Sequence, residues 1–334
     1  MSQQEQALAF RHEALLYSGW AGFIAGTVPF IRGGLEAGEP VLVVESPEKV
    51  QLLRTALDRD ADRVMFADMA NVGANPARII PAWQDFVAMH GATGTRLRGI
   101  GEPIWQGRSD DELVECQRHE SLLNVAFGRG RPWWLLCPYD TDRLDASVID
   151  EARRSHEYLS QDGVAWGSSE FRGIDGSGAP FDAPLPAPDT SVRGLAFDRR
   201  ALADLRRVVG EQAMDAGLES KRASDLVVAA NEVATNSILH GGGGGTLLVW
   251  RDSEKLVCEV SDSGRYGLLP LADRERPVDG DSPRGLWLAN QLCDLVQIRT
   301  FSDRTVMRLH MRIDPRHRLH VFPSDSATAS SAGT

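Results

Sequence analysis

Residues Leu226–Gly245 read LVVAANEVATNSILHGGGGG, a stretch built as a helix that must stop abruptly. Ala229, Ala230, Val233, Ile238 and Leu239 place apolar side chains at helical spacing. Glu232, Asn236 and His240 stand four residues apart and project from one side of that helix. Gly241 and its neighbours then end it, because glycine takes the left-handed cap conformation without a Cβ clash. A carboxylate and an amide one turn apart are either a solvated stripe or one wall of a polar site. The residues that follow decide between the two.

Val260-Ser261-Asp262-Ser263-Gly264-Arg265-Tyr266-Gly267 is an apolar strand running into Asp-x-Gly. Pro283-Arg284-Gly285-Leu286-Trp287-Leu288-Ala289 opens a second apolar helix on a glycine, and Asp303–Met307 is a turn feeding a last strand. In this order and spacing the motifs resemble the nucleotide site of the histidine-kinase-like (GHKL) ATPases. They are most similar to the anti-sigma-factor serine kinases of bacterial stress response and sporulation. The resemblance runs from about Ser191 to Val321.

A chain of 334 residues is long enough for two domains. The formal net charge of −11 speaks against direct nucleic-acid binding as the main activity. Cys116, Cys137, Cys258 and Cys293 form no Cys-x-x-Cys pair, which argues against a disulfide framework or a zinc site and fits a reducing cytoplasm. The N-terminus is polar, without a basic-then-apolar signal pattern. Ala14–Ile31 is uncharged and long enough to span a membrane, but its glycines, Pro29, Ser18 and Thr27 make it a strand end followed by a buried helix.

From His12 to about Tyr158, short apolar runs alternate with helical ones, which predicts a mainly parallel sheet covered on both faces. The expected helices are Trp20–Leu35, Glu48–Leu57, Pro76–His90, Asp110–Phe127 and Asp145–Leu159; the expected strands are Val41–Glu45, Val64–Ala67, Leu97–Gly101 and Trp133–Cys137. Pro29–Leu35, Asn75–Pro81, Gly99–Trp105, Arg118–Asn124 and Leu136–Asp140 resemble the MEDS family, a sensory domain named after methanogen and methylotroph regulators. That resemblance implies a RecA-like α/β fold and a signal-sensing role, and no Walker A sequence is present to cradle phosphates. Glu102, Trp105, Arg118, His119, Glu120, Tyr139 and Asp140 form either a sensory pocket at the strand C-termini or a polar network that holds loops. His12-Glu13, His119-Glu120 and His156-Glu157 are His-Glu pairs, but none has the helical context of a phosphoacceptor histidine.

The expected plan is therefore a sensory domain over 1–165, a linker over 166–190, an α+β GHKL sandwich over 191–323 and a disordered tail over 324–334. Phe171–Thr190 is rich in Gly, Pro and Asp without periodicity. In the second domain Asp198–Ala216 is expected as a helix, and two hairpins are expected, Thr246–Arg251 with Lys255–Asp262 and Leu295–Phe301 with Thr305–Ile313.

The resemblance implies ATP and Mg2+ as cofactors. It makes Glu232 the catalytic carboxylate and Asn236 the magnesium ligand. It assigns nucleotide contacts to His240, Asp262, Gly264, Gly267, Arg284, Gly285, Leu286 and Thr305, with Gly285 opening a helix whose amides favour an anion. The implied partners are a stress- or sporulation-type sigma factor, an anti-anti-sigma protein of the STAS type and an unidentified small-molecule signal. Relatives also dimerise, although the residues show no interface signature. Two departures stand out: Ser282-Pro283 replace the usual glycines before Arg284, and the lid Leu268–Ser282 is poor in glycine. Proline has no amide hydrogen to offer a phosphate. A binding module that holds ATP without transferring phosphate, and a histidine-kinase-type sensor, are the competing readings.

Overall fold

The computed structural model describes residues 10–91, 95–128, 132–176, 181–264, 274 and 284–314. Gly267, Pro283, the predicted lid apart from Arg274, and the predicted disordered tail lie outside the described residues.

The first half is a seven-stranded sheet in the order β3-β2-β4-β5-β1-β6-β7. Its strands are β1 (Arg11–Tyr17), β2 (Val41–Glu45), β3 (Met65–Asp68), β4 (Leu97–Gly101), β5 (Trp133–Asp140), β6 (Tyr158–Gln161) and β7 (Val164–Gly167). Every pairing is parallel except β6 with β7. Its helices are α1 (Gly19–Glu36), α2 (Pro47–Leu57), α3 (Met69–Val72), α4 (Ile79–His90), α5 (Asp110–Phe127) and α6 (Ala146–Ser155). They cover both faces and create two apolar cores. One is built from Phe23, Ile31, Val43 and Leu53, the other from Trp83, Leu123, Trp133 and Ala152. Central strands buried on both sides need continuous apolar runs, which Val41–Val44 supply.

The predicted helix Asp145–Leu159 is shorter than its pattern. It ends at Ser155, because His156 turns extended (φ −112, ψ 131) and is fully buried. Tyr158 then begins β6 beside β1. Asp162 and Gly163 both take left-handed backbone (φ 51 and 79) and fold β7 back on β6. Asp-Gly is a strong hairpin signal. β7 also takes the first residues of the predicted linker.

The second half is an antiparallel sheet in the order β11-β12-β10-β9-β8. Its strands are β8 (Arg193–Asp198), β9 (Gly244–Arg251), β10 (Lys255–Asp262), β11 (Leu295–Thr300) and β12 (Thr305–Arg312). Helices α7 (Leu202–Asp215), α8 (Ser220–His240) and α9 (Arg284–Leu292) cover one face through a single core that includes Leu205, Ala229, Val233, Val260, Leu286 and Met307. The fold class is therefore as expected, a mixed parallel α/β domain followed by a GHKL-type sandwich. The edge strand β8 was not foreseen. Asp198, predicted to start α7, instead accepts the amides of Arg200 (2.7 Å) and Ala201 (3.1 Å) and delays the helix to Leu202.

The other face of that sheet is polar and meets the first domain. The N-terminal half of α5 carries Asp111, Glu112 and Glu115. Asp111 pairs with Lys255 (2.7 Å), Glu112 with Arg312, and Glu115 with Arg299 (2.8 Å). The linker crosses the same face, where the Ala183 and Pro186 carbonyls accept from Arg299 and Arg308. Among the described residues no helix is long and apolar enough to cross a membrane, and Ala14–Ile31 is β1 followed by most of α1.

Candidate functional site

Helix α8 buries Ala229, Ala230, Val233, Ala234 and Ser237 against the sheet and leaves Glu232 and Asn236 half-buried on its flank. The first turn of α9 comes up against that flank. A Cβ placed on Gly285 would lie 3.0 Å from the Asn236 amide nitrogen and 3.1 Å from a Glu232 carboxylate oxygen, so a larger residue there would have to push both side chains aside. Asn236 Nδ2 is buried and has no hydrogen-bond partner. The protein therefore does not commit this amide, which can turn its carbonyl oxygen to a hard cation of the Mg2+ kind. On this observation Asn236 fits the predicted magnesium role. Glu232, one turn away, would orient a hydroxyl and accept its proton.

The floor is the Asp-x-Gly turn after β10. Asp262 is buried and accepts hydrogen bonds from Ser237 Oγ (2.6 Å) and the Gly264 amide (2.8 Å). Thr305 donates its hydroxyl to the Gly264 carbonyl (2.9 Å), so it braces the turn. A Cβ on Gly264 would come within 2.4 Å of the Gly241 Cα, and one on Gly241 within 2.4 Å of the Asp262 carboxyl carbon. The glycines that end α8 are thus what lets the Asp262 turn dock beneath it. Backbone overlap of this kind cannot be relieved by a rotamer change. Gly264→Ala is expected to lower stability by about 1–3 kcal/mol, the usual cost of overpacking, and to weaken nucleotide binding; thermal unfolding and a fluorescent-nucleotide titration check both effects. His240, the last residue of α8, is exposed, and Leu286 is buried in the core. Arg284 opens α9.

The predicted sensory group divides in two. Glu102 and Trp105, with Asp140, line a cavity of about 650 Å³ at the C-terminal ends of the parallel strands, a size typical of small-molecule sites. Tyr17, Glu45, Asp68 and Asp140 end β1, β2, β3 and β5, and Glu102 follows β4. Glu254, Arg312 and Asp314 of the second domain close the opposite wall. Lys49 Nζ donates to the Tyr17 hydroxyl (2.7 Å) and pairs with Glu102, while Tyr17 donates to Glu102 (3.0 Å). Burial, reinforced by the neighbouring Glu102 charge, raises the Glu45 carboxyl well above the usual carboxylate range, and its Oε1 has no hydrogen-bond partner.

His119, Glu120 and Tyr139 are not in this cavity. They are 1%, 0% and 2% exposed and lie in the core between α5 and the sheet. Burial pushes the His119 imidazole down to about 3 and raises the Tyr139 hydroxyl. An apolar run broken by His-Glu looks the same in sequence whether its polar groups face a cavity or one another. Lys49, Tyr17 and Glu45 were missed because nothing marks them locally; the available signal was that Tyr17 and Glu45 end strands and Lys49 lies in the first turn of the helix after β2.

Neither were the contacts that join the two sites foreseen. Asn75 caps its own 3-10 turn by accepting the Ala77 amide (3.0 Å), and its Nδ2 donates to the Asn290 carbonyl (3.1 Å). Arg78 donates to the carbonyls of Asn290 (2.8 Å), Gln291 (2.7 Å) and Cys293 (3.0 Å). A cation and an amide from the first domain thereby satisfy the C-terminal carbonyls of α9, where positive charge is favoured. The first turn of the same short helix sets Gly285 beside Glu232 and Asn236.

The fold thus sets a parallel α/β half against an antiparallel sandwich and has the first hold one end of the helix that abuts Glu232 and Asn236. Residues 11–157 match the family described as MEDS, the methanogen/methylotroph, DcmR sensory domain, and residues 195–313 match the histidine kinase-like ATPase domain. The chain joins an N-terminal MEDS domain to a C-terminal histidine kinase-like ATPase domain. No curated protein matches it. Among solved structures it is similar to the RsbU and RsbW domains of Rv1364c from Mycobacterium tuberculosis, with 19% identity over 37% of this chain and 32% of that one and a TM-score of 0.29. It is also similar to the histidine kinase AdeS of Acinetobacter baumannii, with 11% identity over 37% of this chain and 70% of that one and a TM-score of 0.25.

Proposed function

We propose that this chain is an ATP-dependent anti-sigma regulator. It holds a stress- or sporulation-type sigma factor and transfers phosphate from ATP to a serine or threonine of a STAS-type anti-anti-sigma partner, with a small-molecule signal acting through the MEDS domain. The observation that supports it best is α9. Its glycine end abuts the Glu232–Asn236 pair, and its carbonyl end is held by Asn75 and Arg78. At ~1.5 Å rise per residue the helix spans only about 13 Å, so a shift of the first domain reaches the catalytic carboxylate through one rigid element. Ligand-dependent coupling of this type is typically ~1–3 kcal/mol. The anti-sigma partners come from the motif resemblance.

Two other readings stand beside it. Pro283, which lacks an amide hydrogen, favours a module that binds ATP without transferring phosphate. A histidine-kinase sensor needs an accessible phosphoacceptor, and His12, His119 and His156 are each no more than 1% exposed. Incubation with labelled ATP, with and without a candidate STAS partner, separates the three: label on the partner supports the proposal, label on neither the binding module, and label on the chain itself the histidine kinase. Arg78→Ala is expected to change the rate by roughly 5–150-fold while Mg-ATP still binds. Wild-type kinetics in that variant would remove the helix as the coupling element.

A further inference from the structure

The three His-Glu pairs of the sequence converge. His12 on β1, Glu120 on α5 and His156 after α6 meet Cys137 on β5, all fully or almost fully buried. His12 Nε2 lies 3.1 Å and His156 Nε2 3.3 Å from the same carboxylate oxygen of Glu120, and Cys137 Sγ lies 3.4 Å from His12 Nε2. All four donor atoms fall within 4.8 Å of one another.

The outer partners determine which nitrogens carry hydrogen. Asn124 Nδ2 donates to the Ser155 carbonyl (2.7 Å), so its Oδ1 is the atom facing His12 Nδ1 (3.1 Å) and that nitrogen must donate. His156 Nδ1 lies 2.9 Å from the Ala152 carbonyl, which can only accept, so it too is the N–H. In each neutral ring Nε2 is therefore a bare lone pair, and both lone pairs point at one carboxylate oxygen beside a sulfur. Acceptors facing acceptors in a dry core repel unless a shared proton or a metal cation stands between them. Two imidazolium rings are a poor answer, because the rings of His12 and His156 are only 3.9 Å apart between centroids.

From this geometry we infer a buried metal site: Nε2 of His12, Nε2 of His156, Sγ of Cys137 and a Glu120 carboxylate oxygen bind one divalent ion of the zinc type. With ~2.0–2.3 Å bonds, the edges of a tetrahedron are roughly 3.3–3.7 Å; three of the six donor separations are 3.1, 3.3 and 3.4 Å, and the other three, all within 4.8 Å, must close to that range on binding. Two neutral imidazoles with one thiolate and one carboxylate cancel the charge of a divalent ion, which removes the cost of burying it. Each histidine donates its other N–H to an oxygen, as metal-bound histidines nearly always do. Mixed nitrogen, sulfur and oxygen ligands favour zinc over a hard cation. Four protein ligands leave no open position, so the ion is structural. It staples β1, β5, α5 and the segment entering β6. On binding, the Cys137 thiol proton goes to solvent; no redox step is involved. The absence of a Cys-x-x-Cys pair does not bear on such a site, because its ligands come from four separate segments.

The test uses the full chain, expressed with and without cobalt supplementation and exchanged into metal-free buffer. Elemental analysis should find close to one zinc per chain. The cobalt form should show intense tetrahedral visible bands and a near-ultraviolet thiolate-to-cobalt band. Cys137→Ser should abolish the thiolate band, and Cys258→Ser, a buried thiol in the other domain, should leave it. Chelation should lower the melting temperature of the wild type, and zinc should restore it. If Cys137→Ser does not fold, the metal content and cobalt spectrum of the wild type decide. A metal-free wild type that also shows no cobalt spectrum overturns the inference and leaves a proton-bridged network. A thiolate band that persists in Cys137→Ser overturns it as well.

Discussion

Glu232→Gln is expected to leave Mg-ATP binding close to wild type while lowering phosphotransfer about 10²–10⁴-fold, the usual contribution of a positioned general base. The substitution keeps the size and polarity of the side chain beside Gly285, so the helix contact survives and only the proton acceptor is lost. Asn236→Ala should do the reverse and weaken magnesium-dependent binding itself, because a hard cation loses an oxygen ligand. Isothermal titration with Mg-ATP and with ATP in chelator, set beside initial rates of partner labelling, separates the two effects. Two variants that bind and transfer like wild type would show the pair to be misassigned. Should neither protein transfer phosphate at all, the same titrations still test the magnesium role of Asn236.

The contrast between the two halves shows what local pattern can carry. The shared face of Glu232 and Asn236 was legible because a helix repeats every 3.6 residues, and the glycines after them had to end it. Strand-to-turn motifs such as Asp262–Gly264 are likewise local. Thr305 donates its hydroxyl to the Gly264 carbonyl, a pairing across 41 residues that no local spacing shows. The sensory group divides for a similar reason. Glu102 and Glu120 look alike in sequence, but one ends at a cavity and the other faces two imidazoles in the core. Asn75 caps the turn that follows it, a local role, and its second role, at a carbonyl 215 residues away, left no trace in spacing. The β6–β7 hairpin is different, since Asp162-Gly163 announced it and the helical pattern before it was simply extended too far.

Glu115→Ala should be the most damaging change at the contact between the halves. Glu115 is 1% exposed and accepts from Arg299 Nη1 (2.8 Å), itself 3% exposed, and from Arg274 (3.4 Å). Removing one member of a buried pair leaves the other charge desolvated, which costs about 3–5 kcal/mol. By contrast Asp111→Ala breaks the Lys255 pair, whose side chains are 28% and 22% exposed, and should cost no more than ~1 kcal/mol. Denaturant unfolding of the full chain measures both. The physical cause also predicts a partial rescue: Glu115→Leu combined with Arg299→Met removes the two charges of the closest pair and should recover part of the loss, since apolar replacement of a buried pair is often neutral, while the buried Arg274 still loses its Glu115 contact. It further separates the variant from truncation. In the fragment 191–323 the polar sheet face opens to water and Arg299 is solvated rather than stranded, so we expect the fragment to fold and bind ATP even though Glu115→Ala destabilises the whole chain. Its kinase rate should then be indifferent to Arg78, which it lacks, and to any ligand of the cavity. A Glu115→Ala chain as stable as wild type would mean that the acidic half of α5 does not hold the two domains together, and a fragment that fails to fold would mean that the second domain needs the first to cover its polar sheet face.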